Sequence, residues 1–558
     1  MPLFRNEHNK SSKKHKFKPR ILNLKSLYNK AFGRQTCVLA PSRPASGCYQ
    51  STTRLIASSN PPPPLPSDIL YYIFSMMVEK NLKTLNTCIL VNKSWCEHAL
   101  PIFWREPFRG GEPICVSVVD NYIGCLSNEE RDALEECGIR LRNYKGRSSC
   151  INYAQYLRFL SMADLYTVVR AWTDRTQIRR SRRHSRNTYS TYTLALNLGQ
   201  MLCKLFLSDR ANILSLSLDW GRGYPSWLYA GGLTPNLTRL RKLSIHHINE
   251  WSIFSHLASY AVNIQDLEIL DYSLSSPSLH NEEVSLAKFI ECQNRLTRFK
   301  LFGYGTHPTM IPWSLRSQAK TLKSVEIIHI NFISDEKKGP SLEGLADCVC
   351  LEELCIRFCT DAKRDHLLPL HGAVFPYLKK LHFVESTVAW EELMISLIIT
   401  NANTLEEILF KPKAGSVIET NEPSVFGTVV RYCPNILVLA APMTKNQLPY
   451  LYQLLRYSSC RLTSLSLFAP DRSKRCSNHD FTTELGALLP KTLKHLNLCI
   501  CIGIKAMQVF LKEAPKSLET LYVEGWTSFN PVQRRVAEEY LAGSNRKENA
   551  IQFLKYTI

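Results

Sequence analysis

The sequence predicts an α/β solenoid whose parallel strands line a concave face, preceded by a small module of three short helices. Two observations predict it. A pattern of the form L-x-x-L-x-L returns twelve times beyond residue 210, and a separate stretch of apolar residues at helical spacing starts abruptly at Leu65. With 558 residues, 45% of them hydrophobic, the chain has enough apolar material for one long core and a small module. No run of about 18 uncharged apolar residues occurs, so no membrane-spanning helix is expected.

Residues 1–60 carry no sustained periodicity. They hold twelve Lys or Arg against Glu7 alone, which leaves only +10 of the net +21 to the other 498 residues. Polar, basic and Ser-rich, and running into Pro61–Pro64, the segment reads as a disordered tail. Lys13, Lys14, Lys16, Lys18 and Arg20 fit either a solvated tail or a nuclear-import patch. An acid-poor, Arg-containing N-terminus also fits an organelle transit signal, whereas the missing apolar core of a signal peptide argues against secretion. The 19 cysteines are scattered and form no C-x-x-C pair. Reduced thiols in the cytoplasm or nucleus are expected, not a disulfide framework or zinc module.

Residues 61–108 have a different character. Ile69, Leu70, Ile73, Phe74 and Met77 follow helical spacing and make one apolar face, and Pro66 and Ser67 suit the opening of that helix. Leu82, Leu85 and Ile89 mark a second short helix. Trp95 lies on a third, with Pro101 and Trp104 in an apolar stretch after it. About 45 residues make only a small core, so the module needs a neighbour or a partner to pack against.

In order and spacing these residues resemble the F-box. The resemblance rests on Leu65-Pro66, on Ile69-Leu70, on Val91-Asn92-Lys93-Ser94-Trp95 about 25 residues later, and on Trp104, and it covers residues 65–108, about 8% of the chain. It implies docking on the Skp-family adaptor of a cullin–RING ubiquitin ligase, and through it on a cullin. It assigns the adaptor contacts to Leu65, Pro66, Ile69, Leu70, Ile73, Leu85, Val91 and Trp95. The rival reading of the same residues is a three-helix packing unit with no partner.

Residues 109–210 read as a helical lead-in. Within it, Arg175, Arg179, Arg180, Arg182, Arg183 and Arg186 fall in a stretch without apolar periodicity. That composition fits a solvated loop, or a site for phosphate or acidic peptide through bidentate pairing.

From residue 211 to 526 the pattern recurs, first as Ile213/Leu216/Leu218 and Leu240/Leu243/Ile245, last as Leu518/Leu521/Val523, with its weakest copy at Ile436/Leu439. The mean spacing of about 28 residues is that of a leucine-rich repeat, in which each unit gives one short strand and a return. Stacked units share one core, so no single repeat is stable alone. In two copies Cys359 and Cys501 take the Asn/Cys position of the consensus, where a buried thiol serves the turn; this resembles the cysteine-containing repeats often joined to an F-box. Asn530-Pro531 and Gly543 then suit the start and end of a helix, so residues 527–558 read as a C-terminal cap.

Strand side chains alternate, so if positions 4 and 6 of the pattern point inward, positions 3, 5 and 7 line the concave face. Position 3 reads Lys242, Asp266, Arg298, Ser324, Glu353, Lys380, Glu407, and position 5 includes Glu268, Lys300 and Glu326. Alternating signs support one another across parallel strands and argue against nucleic acid, which needs one sign. Position 7 holds Leu270, Phe302, Ile328 and Val384, interrupted by Arg357. These five are the candidate contacts for a protein target, unless inter-repeat loops cover them.

Signatures of catalysis are missing: there is no G-x-x-x-x-G-K-[ST], H-E-x-x-H or G-x-S-x-G. His246 and His247 alternate faces and cannot chelate one ion as a pair, and Cys348/Cys350 and Cys499/Cys501 lack zinc-ligand spacing. No catalytic residue, metal or cofactor is expected. The expected function is a non-enzymatic substrate receptor of an SCF-type ligase, holding a protein target on its repeats. The alternatives are a repeat scaffold or regulator that acts without ubiquitin transfer, and a nucleic-acid binder using the basic tail.

Overall fold

The computed structural model describes residues 65–523, apart from 81, 110–115, 142–148, 150, 179–189, 220–234, 247–251, 273–278, 307–309, 333–341, 387, 414–423, 444, 457–460, 469–478, 500–508, 511 and 516. The basic tail, Arg179 to Arg186, His247, Cys501 and the C-terminal cap lie outside them. The chain divides into two compact units, one of residues up to 158 with 166–206, the other of 159–165 with the chain from 207 onward.

The first unit opens with α1 (Ser67–Lys80), α2 (Leu82–Cys88) and α3 (Lys93–Phe103). Asn92 caps α3, its side chain accepting from the Trp95 N–H at 2.8 Å, which satisfies a donor the helix itself cannot. Contrary to the sequence expectation, α3 runs on through Pro101. The carbonyl that proline leaves without its usual donor belongs to Glu97, an exposed residue, so water can serve it. Leu70, Phe74, Leu85, Ile89 and Leu100 are buried between the three helices, and the Trp95 ring meets Phe74 edge-on at 5.3 Å. Each such side chain contributes about 1.5–3 kcal/mol by leaving water. A second aromatic cluster follows. Trp104 packs on Tyr153 at 4.2 Å and on Tyr122 at 5.4 Å, and Tyr122 packs on Phe206 at 4.7 Å.

The second unit is built on one 13-stranded sheet whose strands lie side by side in chain order. They are β1 (Phe159–Ser161), β2 (Ser215–Asp219), β3 (Lys242–His246), β4 (Asp266–Tyr272), β5 (Arg298–Thr306), β6 (Ser324–Ile330) and β7 (Glu353–Arg357). Then come β8 (Lys380–Ser386), β9 (Glu407–Pro412), β10 (Val438–Pro442), β11 (Ser464–Phe468), β12 (His495–Cys499) and β13 (Thr520–Val523). Every neighbouring pair is parallel, and helices or single turns fill the described connections. This is the α/β architecture of a leucine-rich-repeat-like solenoid. All twelve expected copies are strands, the weak one at Leu439 included. The lead-in is not wholly helical, because β1 pairs Leu160 with Leu216 and starts the sheet before the first full copy of the pattern. Three residues are too few for period-2 alternation to register in a sequence.

The register is the one the pattern requires. Leu243, Leu267, Phe299, Val325, Leu354, Leu381 and Ile408 face one another from strand to strand, as do the following position-6 residues, and both rows are buried. Behind the strands, the buried amides of Gln293, Gln318 and Asn401 tie returns to their neighbours. Asn401 accepts from the Phe375 N–H at 2.6 Å and donates to the Leu397 carbonyl at 2.9 Å. Gln293 likewise accepts from the Ile264 N–H and donates to Phe289. These side chains satisfy backbone groups that the turns would otherwise bury without partners.

Candidate functional site

Two surfaces stand out, one on each unit. On the first, α1 is apolar on opposite sides. Leu70 and Phe74 face the core, while Leu65, just ahead of the helix, and Ile69, Tyr72 and Met76 on it, at spacings of four, three and four, are 47%, 46%, 66% and 49% exposed. Nearby in sequence, Val91 is also exposed. Of the residues that the resemblance assigned to adaptor contact, Leu65, Pro66, Ile69 and Val91 are exposed, and Ile73 and Trp95 are partly so. Leu70 and Leu85 are buried, so they hold the helices together and offer a partner nothing directly. Tyr72 and Met76 were missed. Their signal is the helical spacing from Ile69, which the Leu70 face obeys as well, so spacing alone does not tell the two faces apart.

On the second unit, side chains of the concave face interlock across strands. Lys242 reaches both Glu268 at 2.6 Å and Asp266 at 3.4 Å. Arg298 closes on Asp266 at 2.9 Å, Lys300 on Glu326 at 2.8 Å and Lys380 on Glu353 at 3.0 Å. Burial works against ionisation of Glu268, but the Lys242 ammonium and the Ser244 hydroxyl outweigh it and hold the carboxyl below its usual range. Glu353 is held low in the same way by Lys380 and Ser324. Positive and negative side chains alternate at positions 3 and 5, so no single sign dominates here.

Position 7 forms the column Leu270, Phe302, Ile328, Arg357, Val384, in direct register. Leu270, Phe302 and Arg357 keep some exposure. Ile328 and Val384, expected to be open to a target, are buried at 8% and 6%. The reason is stature: these short side chains sit between taller neighbours, Ile328 between Phe302 and Arg357, Val384 between Arg357 and Lys411. The Nε of Arg357 is buried without a hydrogen-bond partner, and Nη1 lies 3.7 Å from Glu326.

The next position departs from ordinary backbone. His329, Phe358 and Glu385, each directly after position 7 in three successive strands, have φ of 56°, 55° and 55°. Bulky residues take this left-handed conformation at a cost of about 1–3 kcal/mol each. Here the His329 ring stacks on Phe358 at 4.8 Å and meets Phe302 edge-on at 5.2 Å. The Cys359 thiol then donates to the Arg357 carbonyl at 3.4 Å, serving the turn as the consensus requires, and burial pushes its pKa up to about 12.

One further group crosses three strands: Cys355 on β7, His382 on β8 and Glu407 on β9. His382 Nε2 lies 2.9 Å from Glu407 Oε1. Burial lowers the pKa of this imidazole, but Cys355 and Glu407 outweigh burial and raise it to about 9. Among the described residues, no three His, Cys, Asp or Glu are grouped so as to hold a metal ion, and no helix is long and apolar enough to cross a membrane. No protein-family model and no curated protein matches the sequence.

Proposed function

We propose that this protein is a non-catalytic substrate receptor of the F-box type, docking a Skp-family adaptor, and through it a cullin, with its first helices and holding a protein target on its repeats. The observation that carries the reading is the exposed apolar stripe of Ile69, Tyr72 and Met76, begun by Leu65 just ahead of the helix, on the side of α1 away from its core. A solvent-facing row of this kind on so small a unit is what a hydrophobic partner covers. The repeats support the second half. Their concave face presents Leu270, Phe302 and Arg357 partly open among neutralised charges, which suits a protein surface and disfavours phosphate backbone. The receptor's contribution is proximity, since tethering raises the concentration of target near the ligase. Co-purification of the full chain with a Skp-family adaptor and cullin tests the reading. If neither is recovered while the chain remains folded, the repeats act as a scaffold without ubiquitin transfer.

A further inference from the structure

The group on β7, β8 and β9 goes beyond adaptor and target binding. Register sets Cys355 directly opposite His382, and Glu407, on the same face of the next strand, closes on the imidazole. His382 is buried, and its Nε2 lies 2.9 Å from Glu407 Oε1. A thiol, an imidazole beside it and a carboxylate fixing that imidazole is the arrangement in which a cysteine becomes nucleophilic. The geometry points to Cys355 as a reactive thiol, a modification site that takes small disulfides such as glutathione disulfide to form a mixed disulfide.

The chemistry balances with that one co-reactant. The Cys355 thiol releases its proton to water, and Sγ attacks one sulfur of the disulfide. A new S–S bond forms as the old one breaks, and the departing thiolate takes up a proton to leave as a free thiol. His382 is a positioning cation in this step. With its pKa raised to about 9 it is protonated at pH 7, and its charge favours the negative charge gathering on Sγ. The other charges facing Cys355 are largely neutralised in pairs: Glu326 by Lys300 and Arg357, Glu353 by Lys380. Cys348 and Cys433 lack such a neighbour, are buried, and have pKa values pushed up to about 12. Cys355 is partly exposed on the concave face, within reach of a small molecule.

Peptide-resolved alkylation of the full chain tests this. Iodoacetamide at pH 7 should modify Cys355 at least tenfold faster than Cys137, which is more exposed and serves as an internal reference. His382→Gln should lower the Cys355 rate at least tenfold and leave Cys137 unchanged, and glutathione disulfide should add to Cys355. The advantage should narrow above pH ~9, where His382 loses its charge. A wild-type Cys355 no faster than Cys137 overturns the proposal, as does a folded His382→Gln protein with an unchanged rate. Should that variant not fold, the wild-type ratio and its decline with pH decide the matter alone.

Discussion

Lys242 on β3 donates to Glu268 on β4 at 2.6 Å, reaching one step diagonally past Asp266, the residue directly opposite it. One ammonium therefore holds two carboxylates of the next strand, whereas Lys380 on β8 lies between one carboxylate on each side, Glu353 of β7 and Glu407 of β9.

Acid should loosen this face. Glu268, Glu353 and Glu407 have folded-state pKa values below the usual carboxylate range. Their contribution is present above about pH 4.5 and is lost as pH falls through the folded values. Because the pairs are partly exposed, each contributes about 0–1 kcal/mol. Thermal melts between pH 7 and pH 3 should show Tm falling with acidification, with a shallower fall for Glu268→Gln. An identical slope for that variant would remove the ladder from the account.

Glu391, in the helix Val388–Asn401, should behave in the opposite sense. Burial raises its pKa to about 7, so its contribution is present below about pH 4.5 and lost as pH rises through 7. Glu391→Gln should stabilise the protein by about 1–3 kcal/mol at pH 8 and leave it unchanged at pH 4. Denaturant melts at the two pH values measure the difference.

Core and surface residues should separate cleanly in the repeats. Leu354 is fully buried between β6 and β8, and Leu354→Ala should cost about 2–5 kcal/mol through the cavity it leaves. Leu354→Asp with Ile356→Asp should do worse, burying two charges without partners. A compact, protease-resistant double mutant would contradict the register.

The exposed stripe should matter for binding and not for folding. Ile69→Asp with Met76→Asp, or Leu65→Ala with Pro66→Ala, should weaken adaptor binding at least tenfold, which needs only about 1.4 kcal/mol. Circular dichroism and Tm should stay unchanged. Leu85→Ala is the contrasting control: that side chain is buried, and its loss should lower Tm. Adaptor recovery unaffected by either surface pair would end the F-box reading.

The repeats were legible in the sequence because two rows of buried residues recur at a near-constant interval, and a sheet in chain order turns that interval directly into register. The charge ladder was legible for the same reason. Other features were not. Whether Ile328 and Val384 reach solvent depends on the height of side chains two strands away from each other, which no single repeat encodes. Leu70 and Ile69 are adjacent and both apolar, and only packing of α1 on α2 and α3 decides which one is buried. The meeting of Cys355, His382 and Glu407 joins residues some 27 and 25 positions apart, one from each of three repeats, and none of the three belongs to a recognisable motif.

The sheet keeps its strands in chain order, and each strand from β2 onward hydrogen-bonds to one already made. A polypeptide leaving the ribosome therefore never waits for a distant segment to complete a strand pair. Each new strand can dock on a finished edge as it emerges, and chain entropy is lost in instalments of about one repeat. Synthesis should thus proceed with a single growing edge open to neighbouring chains, so a ribosome stalled within the repeats would expose one strand's worth of unsatisfied backbone and not a whole unfolded domain.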